Sequence, residues 1–176
     1  MAIEIEAKIR VEGLKPFRDK LLELGAERVG KVRETNTYLT VDDPDVGLRV
    51  RREVDAGGHV RSRVTYKGPR QPGAFKRREE IEYDVSDADA AVQAFERIGH
   101  TGNLVFEKDR ETFNLDDCEV VLDELPQLGR FVEVEGPGEA AVTQVLAKMG
   151  LSADDMLVEG YASMFAAAGV SEARFD

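Results

Sequence analysis

From Ile3 to Glu12 the chain alternates without a break: Ile3, Ile5, Ala7, Ile9 and Val11 on one parity, Glu4, Glu6, Lys8, Arg10 and Glu12 on the other. A strand turns successive side chains to opposite faces, so the segment predicts a β-strand with one apolar face and a row of charges ~6–7 Å apart on the other. Neighbouring carboxylates repel unless water screens them or a cation bridges them, and the lysine that follows suits an anionic ligand beside that cation. Two readings of the row stand side by side: a metal and anion site, or the solvated face of an edge strand.

The same rule governs later segments. Arg49 and Arg51 share a face, as do Arg61, Arg63, Thr65 and Lys67; Arg78, Glu80, Glu82 and Asp84 share another, and Lys108 and Arg110 follow. β-like stretches are predicted at 37–41, 47–52, 59–67, 78–85, 105–113, 119–125 and 131–135. Turn chemistry at Asp55-Ala56-Gly57-Gly58 and Asp116-Asp117 makes hairpins of neighbouring ones.

Three times a charged strand leads into an amphipathic helix closed by glycine. The apolar stripes are Leu14, Phe17, Leu21, Leu22 and Leu24 before Gly25; Val92, Phe95 and Ile98 before Gly99; and Val142, Val145, Leu146 and Met149 before Gly150. Ser86 is the expected cap of the second helix, and Pro137 is expected in the first turn of the third. Val132-Glu133-Val134-Glu135 echoes Ile3-Glu4-Ile5-Glu6, hinting at two related halves. Tyr161 to Ala168 is expected to form a short helix at one barrel mouth.

About eight strands and three or four helices, dominated by hairpins, predict an α+β fold with a largely antiparallel sheet. Whole ionic strand faces suit a closed antiparallel β-barrel with a charged lumen, its apolar exterior covered by the amphipathic helices. At 176 residues one domain is expected, spanning 1–170, with 171–176 as a frayed tail.

Composition restricts the ligands. With 24 Lys and Arg against 35 Asp and Glu the net charge is −11, which disfavours nucleic acid and anionic membrane as partners. Any phosphate site must therefore be local. The lone cysteine, Cys118, rules out an intramolecular disulfide and a Cys-rich zinc site. No signal peptide or long apolar run is seen, so a soluble, cytoplasmic protein is expected.

A charged lumen must nearly balance its ions or hold a ligand that does, because unpaired buried ions cost several kcal/mol each. Lys8, Arg49, Arg51, Arg61, Arg63, Lys67, Arg78, Lys108 and Arg110 stand against Glu4, Glu6, Glu80, Glu82, Asp123, Glu133 and Glu135. If the acids gather around divalent cations, the bases are free for a polyanion. A triphosphate with about four negative charges, together with hard metal ions, satisfies both sets. Gly57-Gly58 lacks the lysine and the strand-to-helix setting of a phosphate loop, so side chains must hold the phosphates.

These residues resemble a known family. Glu4-Ile5-Glu6-Ala7-Lys8 matches the E-x-E-x-K signature of the CYTH superfamily, the triphosphate tunnel metalloenzymes that include class IV adenylate cyclases and thiamine triphosphatases. The likeness continues in order through Leu48-Arg49-Val50-Arg51, Thr65-Tyr66-Lys67-Gly68-Pro69, Arg78-Glu79-Glu80, Glu107-Lys108-Asp109-Arg110, Asp123-Glu124 and Phe131 to Glu135. It implies a tunnel in which Glu4, Glu6, Glu133 and Glu135, with Asp123, hold Mg²⁺ or Mn²⁺, assisted by Glu80 or Glu82. Lys8, Arg49, Arg51, Lys67, Arg78, Lys108 and Arg110 would grip phosphate, and Glu4, Glu6, Lys8 and Glu135 would carry catalysis. Arg61 and Arg63 are supporting candidates that could instead pair outside the lumen.

The implied substrate is ATP, tripolyphosphate or thiamine triphosphate. Thr65 to Pro69 and Lys76 to Glu80 resemble the class IV cyclase branch more than the thiamine triphosphatase branch, so conversion of ATP to cyclic AMP and pyrophosphate leads, with triphosphate hydrolysis as the alternative. A non-catalytic polyphosphate-binding module and a protein-interaction domain are the remaining readings. Tyr38, Tyr66 and Tyr161 fit equally as core aromatics with a polar tip, so no general base is named. His59 and His100 read as loop residues. Monomer and homodimer both stay open.

Overall fold

The alternation builds the first element of the computed structural model, which describes residues 2–73 and 75–176, with the side chains of 2–4 outside the described residues. Strand β1 (Ala2–Val11) buries Ile5, Ala7 and Ile9 on its apolar face. The chain then turns into helix α1 (Lys15–Glu23), with Pro at its start, and Gly25 ends it at φ 76°, a left-handed conformation that glycine adopts without strain. Leu21 is fully buried and Leu14, Phe17 and Leu24 pack on the same core, whereas Leu22 faces solvent.

Strand β2 (Glu27–Leu39) starts ten residues before the predicted stretch and takes in the polar run Glu34-Thr35-Asn36. β3 (Gly47–Asp55) and β4 (Val60–Lys67) form the expected hairpin. In its turn the Asp55 carboxylate accepts from the backbone N–H groups of Gly57 and His59 at 2.8 and 2.9 Å. β5 (Lys76–Val85) leads to α2 (Ala88–Arg97), capped by Asp87, which accepts from the Ala90 N–H at 3.0 Å in place of the predicted Ser86.

β6 (Gly102–Leu115) and β7 (Cys118–Leu125) are joined through Asp116, at φ 53°. β8 (Gly129–Gly136) precedes α3 (Glu139–Lys148), whose cap position is Gly138, so Pro137 lies ahead of the helix rather than in its first turn. A Cβ on Gly136 would come within 2.6 Å of the buried Cys118 Sγ, so a close approach of strand ends fixes glycine there. α4 (Tyr161–Ala167) and β9 (Glu172–Ala173) complete the order.

Eight strands run β2-β3-β4-β5-β1-β8-β7-β6, every neighbour antiparallel, and β2 pairs β6 to close the barrel. The echoed strands β1 and β8 are neighbours, with Glu6 opposite Glu135 and Lys8 opposite Glu133. The tail expected to fray is instead docked: β9 pairs parallel to β6 at Val105 and Phe106, and Ala173 is buried. A two-residue ladder suffices because β7 ends before that stretch of β6 and leaves its edge open.

Two of the three apolar clusters lie outside the barrel wall. One core sits between β1, β6, β7 and β8 and helices α1 and α3; a smaller one joins Leu39, Val50 and Val64 to α2. A third gathers Phe106, Phe131, Tyr161 and Phe165. Phe106 and Phe131 share strand parity with the inward Lys108 and Glu133, so α4 packs across one end of the lumen. Among the described residues no helix is long and apolar enough to cross a membrane.

Candidate active site

Register brings the charged faces together. Glu6 lies between Lys76 and Glu135, Lys67 beside Glu80, Thr65 beside Glu82 and Arg49 beside Tyr38; across the barrel Glu34 stands by Lys108 and Arg110 by Asp123. They surround a cavity of about 330 Å³ lined, among the described residues, by ten basic and six acidic side chains. In a chain of net charge −11, this is a concentrated reversal of sign.

One group of contacts is built on Asp123, which is fully buried. Arg110 Nε and Nη2 donate to its two oxygens at 2.8 and 2.6 Å, and Lys108 Nζ and the Tyr161 hydroxyl add bonds at 3.2 and 2.9 Å. Arg110 also reaches Glu133 at 2.6 Å, and Lys8 Nζ lies 3.0 Å from the other Glu133 oxygen. The Lys8 ammonium sits 3.8 Å from the centre of the Tyr161 ring. Behind them Glu34, 1% exposed, faces Arg51 at 3.2 Å, Lys108 at 3.4 Å and Arg110 at 3.8 Å. Burial and the neighbouring Arg110 push the Lys108 ammonium below its ordinary range, a bias that an incoming anion would reverse.

The second group surrounds Glu6. Lys76 Nζ donates to it at 2.8 Å and Lys8 lies 3.5 Å away. Burial alone would raise this carboxyl, but Lys76, with Lys8 and Lys67, holds it at about 2, so it stays ionised. Glu135 behaves oppositely. Burial, reinforced by Glu6, Glu119 and Glu80, lifts it to about 7. Lys67 bonds to Glu80, and Glu82 takes Thr65 Oγ1 at 2.7 Å, Arg63 at 2.8 Å and Arg49 at 3.4 Å.

Of the residues marked out by sequence, Glu6, Lys8, Arg49, Arg51, Arg63, Lys67, Arg78, Glu80, Glu82, Lys108, Arg110, Glu133 and Glu135 all border this cavity. Asp123 stands behind its wall with both oxygens taken by cations and Tyr161, so its place is as an anchor for Lys108 and Arg110. Arg61 is more than half exposed and pairs with Asp84 at 2.8 Å, away from the cavity, because its strand has by then reached the barrel rim. Glu4, whose backbone pairs with Arg78, has its side chain outside the described residues. Glu34, Lys76, Arg70 and Glu119 were not singled out. Lys76 shares parity with Arg78, a signal that finds it; Glu34 lies outside the predicted β-like stretches.

A hard cation fits the Glu6 and Glu135 region on two observations. Glu6 Oε1 is buried with no hydrogen-bond partner, and Glu135 is raised by burial and by neighbouring carboxylates whose repulsion a divalent ion would relieve. Among the described residues no three such groups stand together at ligand spacing in advance. On the anionic side, Arg49 Nε and Arg78 Nε are buried donors without acceptors. Phosphate oxygens would supply them.

Comparison with known proteins agrees with this layout. The family described as CYTH domain matches residues 2–161. A protein of Methanocaldococcus jannaschii named "Putative adenylate cyclase MJ0240" is 30% identical over 138 residues, covering 76% of each chain. The PH1012 protein of Pyrococcus horikoshii superposes with a TM-score of 0.81 at 26% identity, covering 91% of this chain and 98% of its own. The Hippeastrum protein HpAC1, described as having a dominant triphosphatase activity, shares the fold at 15% identity, with a TM-score of 0.64 and 97% of both chains covered.

Proposed function

Because the chain belongs to the CYTH domain family, we propose that it is a divalent-metal-dependent enzyme acting on a triphosphate held in the barrel, in the manner of an adenylate cyclase: ATP to cyclic AMP and pyrophosphate. The observation that carries this reading is one cavity in which, among the described residues, ten cations outnumber six carboxylates. The adenylate cyclase name of the M. jannaschii relative supports the choice of reaction.

In this reading Arg49, Lys67, Lys108 and Arg110 bind the phosphate chain from opposite walls, arginines by forked donation and lysines as point charges. Asp123, Glu34 and Glu133 hold those cations in place before substrate arrives, so little reorganisation is needed as charge develops on the leaving pyrophosphate. Glu6 and Glu135 would hold Mg²⁺ or Mn²⁺, with Glu4 and Glu133 in the same candidate set. Such an ion supplies charge neutralisation at the attacking or leaving oxygen. Within the barrel the ribose 3′-hydroxyl attacks the α-phosphorus.

Hydrolysis of the terminal phosphate is the second reading. It is favoured by the ionic character of the cavity, where, among the described residues, only Tyr38, Tyr161 and small groups accompany the charges. Incubation with ATP, tripolyphosphate or thiamine triphosphate in Mg²⁺ or Mn²⁺, with product identification, decides the matter. Cyclic AMP plus pyrophosphate establishes the cyclase, and orthophosphate alone the hydrolase. Absence of turnover on all three removes both.

A further inference from the structure

Among the described residues four lysines border the ionic cavity: Lys8, Lys67, Lys76 and Lys108. The first three each hold a carboxylate at 3.0 Å or closer. Lys108 does not: although 3% exposed, its ammonium stands 3.2 Å from Asp123 and 3.4 Å from Glu34. A buried ammonium between two buried carboxylates is expected to close on one of them, since the low dielectric of the interior strengthens their attraction. Something holds it off.

The cause is the way Asp123 is shared. Among the described residues its Oδ1 accepts only Arg110 Nε, at 2.8 Å, whereas Oδ2 accepts Arg110 Nη2 at 2.6 Å, the Tyr161 hydroxyl at 2.9 Å and Lys108 at 3.2 Å. A carboxylate oxygen offers about two lone-pair positions. The guanidinium and the phenol fill them, and the ammonium is left as the third and longest donor. The phenol is fixed in that place by its ring, which packs edge-on to Phe131 and Phe106 with centroids 5.1 and 6.5 Å away. The same ring lies 5.3 Å from the Lys108 ammonium, a seat that attracts a cation without neutralising it.

We propose that Tyr161 is a positioning residue for phosphate binding: its hydroxyl occupies the Asp123 oxygen on which Lys108 would otherwise close, and so keeps the Lys108 ammonium available to the cavity. The inference rests on the triphosphate reading above and adds to it a residue that acts through another. Without the hydroxyl, Lys108 takes the vacated lone pair and forms a short ion pair. An incoming phosphate must then break that pair, so its affinity falls. A hydroxyl that merely satisfied a buried carboxylate would change stability and leave affinity alone.

The test is tripolyphosphate binding by calorimetry to the native protein, Tyr161→Phe, Lys108→Gln and the double variant, a cycle that isolates the coupling of the two residues. Tyr161→Phe leaves the ring packing in place; where its stability limits calorimetry, the rise in melting temperature with tripolyphosphate gives the same comparison. The expected result is an affinity about fivefold lower for Tyr161→Phe, the size of one net hydrogen bond. The same substitution in the Lys108→Gln background should change affinity by less than about twofold. For a triphosphate that the native enzyme turns over, KM should rise by the same factor while kcat holds, because phosphate is gripped equally before and during the reaction. Phe165→Leu loosens α4 in the same apolar cluster but has no polar atom to reach Asp123, and its affinity should match the native one. Unchanged affinity in Tyr161→Phe, an equal loss with and without Lys108, a loss confined to kcat, or an equal loss in Phe165→Leu each overturns the inference and leaves the triphosphate reading intact. If tripolyphosphate fails to bind the native protein, that reading falls and this inference with it.

Discussion

Glu34 shows how a single buried charge organises the site. It faces three cations of the cavity wall, so the barrel balances part of their charge with a residue that is almost wholly removed from solvent. Glu34→Gln leaves Arg51, Lys108 and Arg110 short of a counter-ion, which should cost about 3–5 kcal/mol in the free protein. Tripolyphosphate should then raise the melting temperature of this variant by more than that of the native chain; an equal or smaller increment would contradict the counter-ion role. Arg49→Ala removes a buried guanidinium with an unmatched donor, and tripolyphosphate affinity should fall about 10- to 100-fold in calorimetry. Glu135 sets a pH dependence. Its folded value of about 7 lies above the ordinary 4.5, so the stability it contributes is complete below about 4.5 and is lost as pH rises through 7. Mg²⁺ should therefore raise the melting temperature more at pH 8 than at pH 5.5, and Glu135→Gln should flatten that difference.

At the level of elements, the C-terminal segment matters more than its length suggests. α4 places Tyr161 on Asp123 and under Lys8, and β9 fastens the end of the chain to β6. The Phe175 N–H donates to Glu107 at 3.0 Å and Arg33 lies over the Phe175 ring. Tyr161→Phe keeps the ring and deletes only the hydroxyl donor to a charged acceptor, so about 1.5–3 kcal/mol should be lost in denaturant titration. Deleting residues 172–176 should lower the midpoint as well; an unchanged midpoint would mean the docked tail adds nothing. The helices α1 to α3 were legible from their apolar stripes and closing glycines, since helical spacing and left-handed glycines are local properties. Their caps were less so. Ser86 and Asp87 have equal capping chemistry, and only the path of the chain out of β5 chose the aspartate.

For the molecule as a whole, the parity of charges along separate strands already determined the α+β class, the closed barrel and most of its ionic lining, because a strand's two faces are set by residue number alone. The family signature depended on the same ordered positions. What only the tertiary structure decided is which charge meets which. Closure between β2 and β6 places Glu34 against Lys108, brings Arg110 to both Asp123 and Glu133, and sends Arg61 to the rim, all through register and strand tilt between segments far apart in the chain. A second cavity, of about 530 Å³ beside the ionic one, is likewise formed by the 39–47 segment, the start of β6 and α4, which no local pattern relates. A strand's sequence carries the direction of its side chains, whereas their partners depend on how the barrel closes.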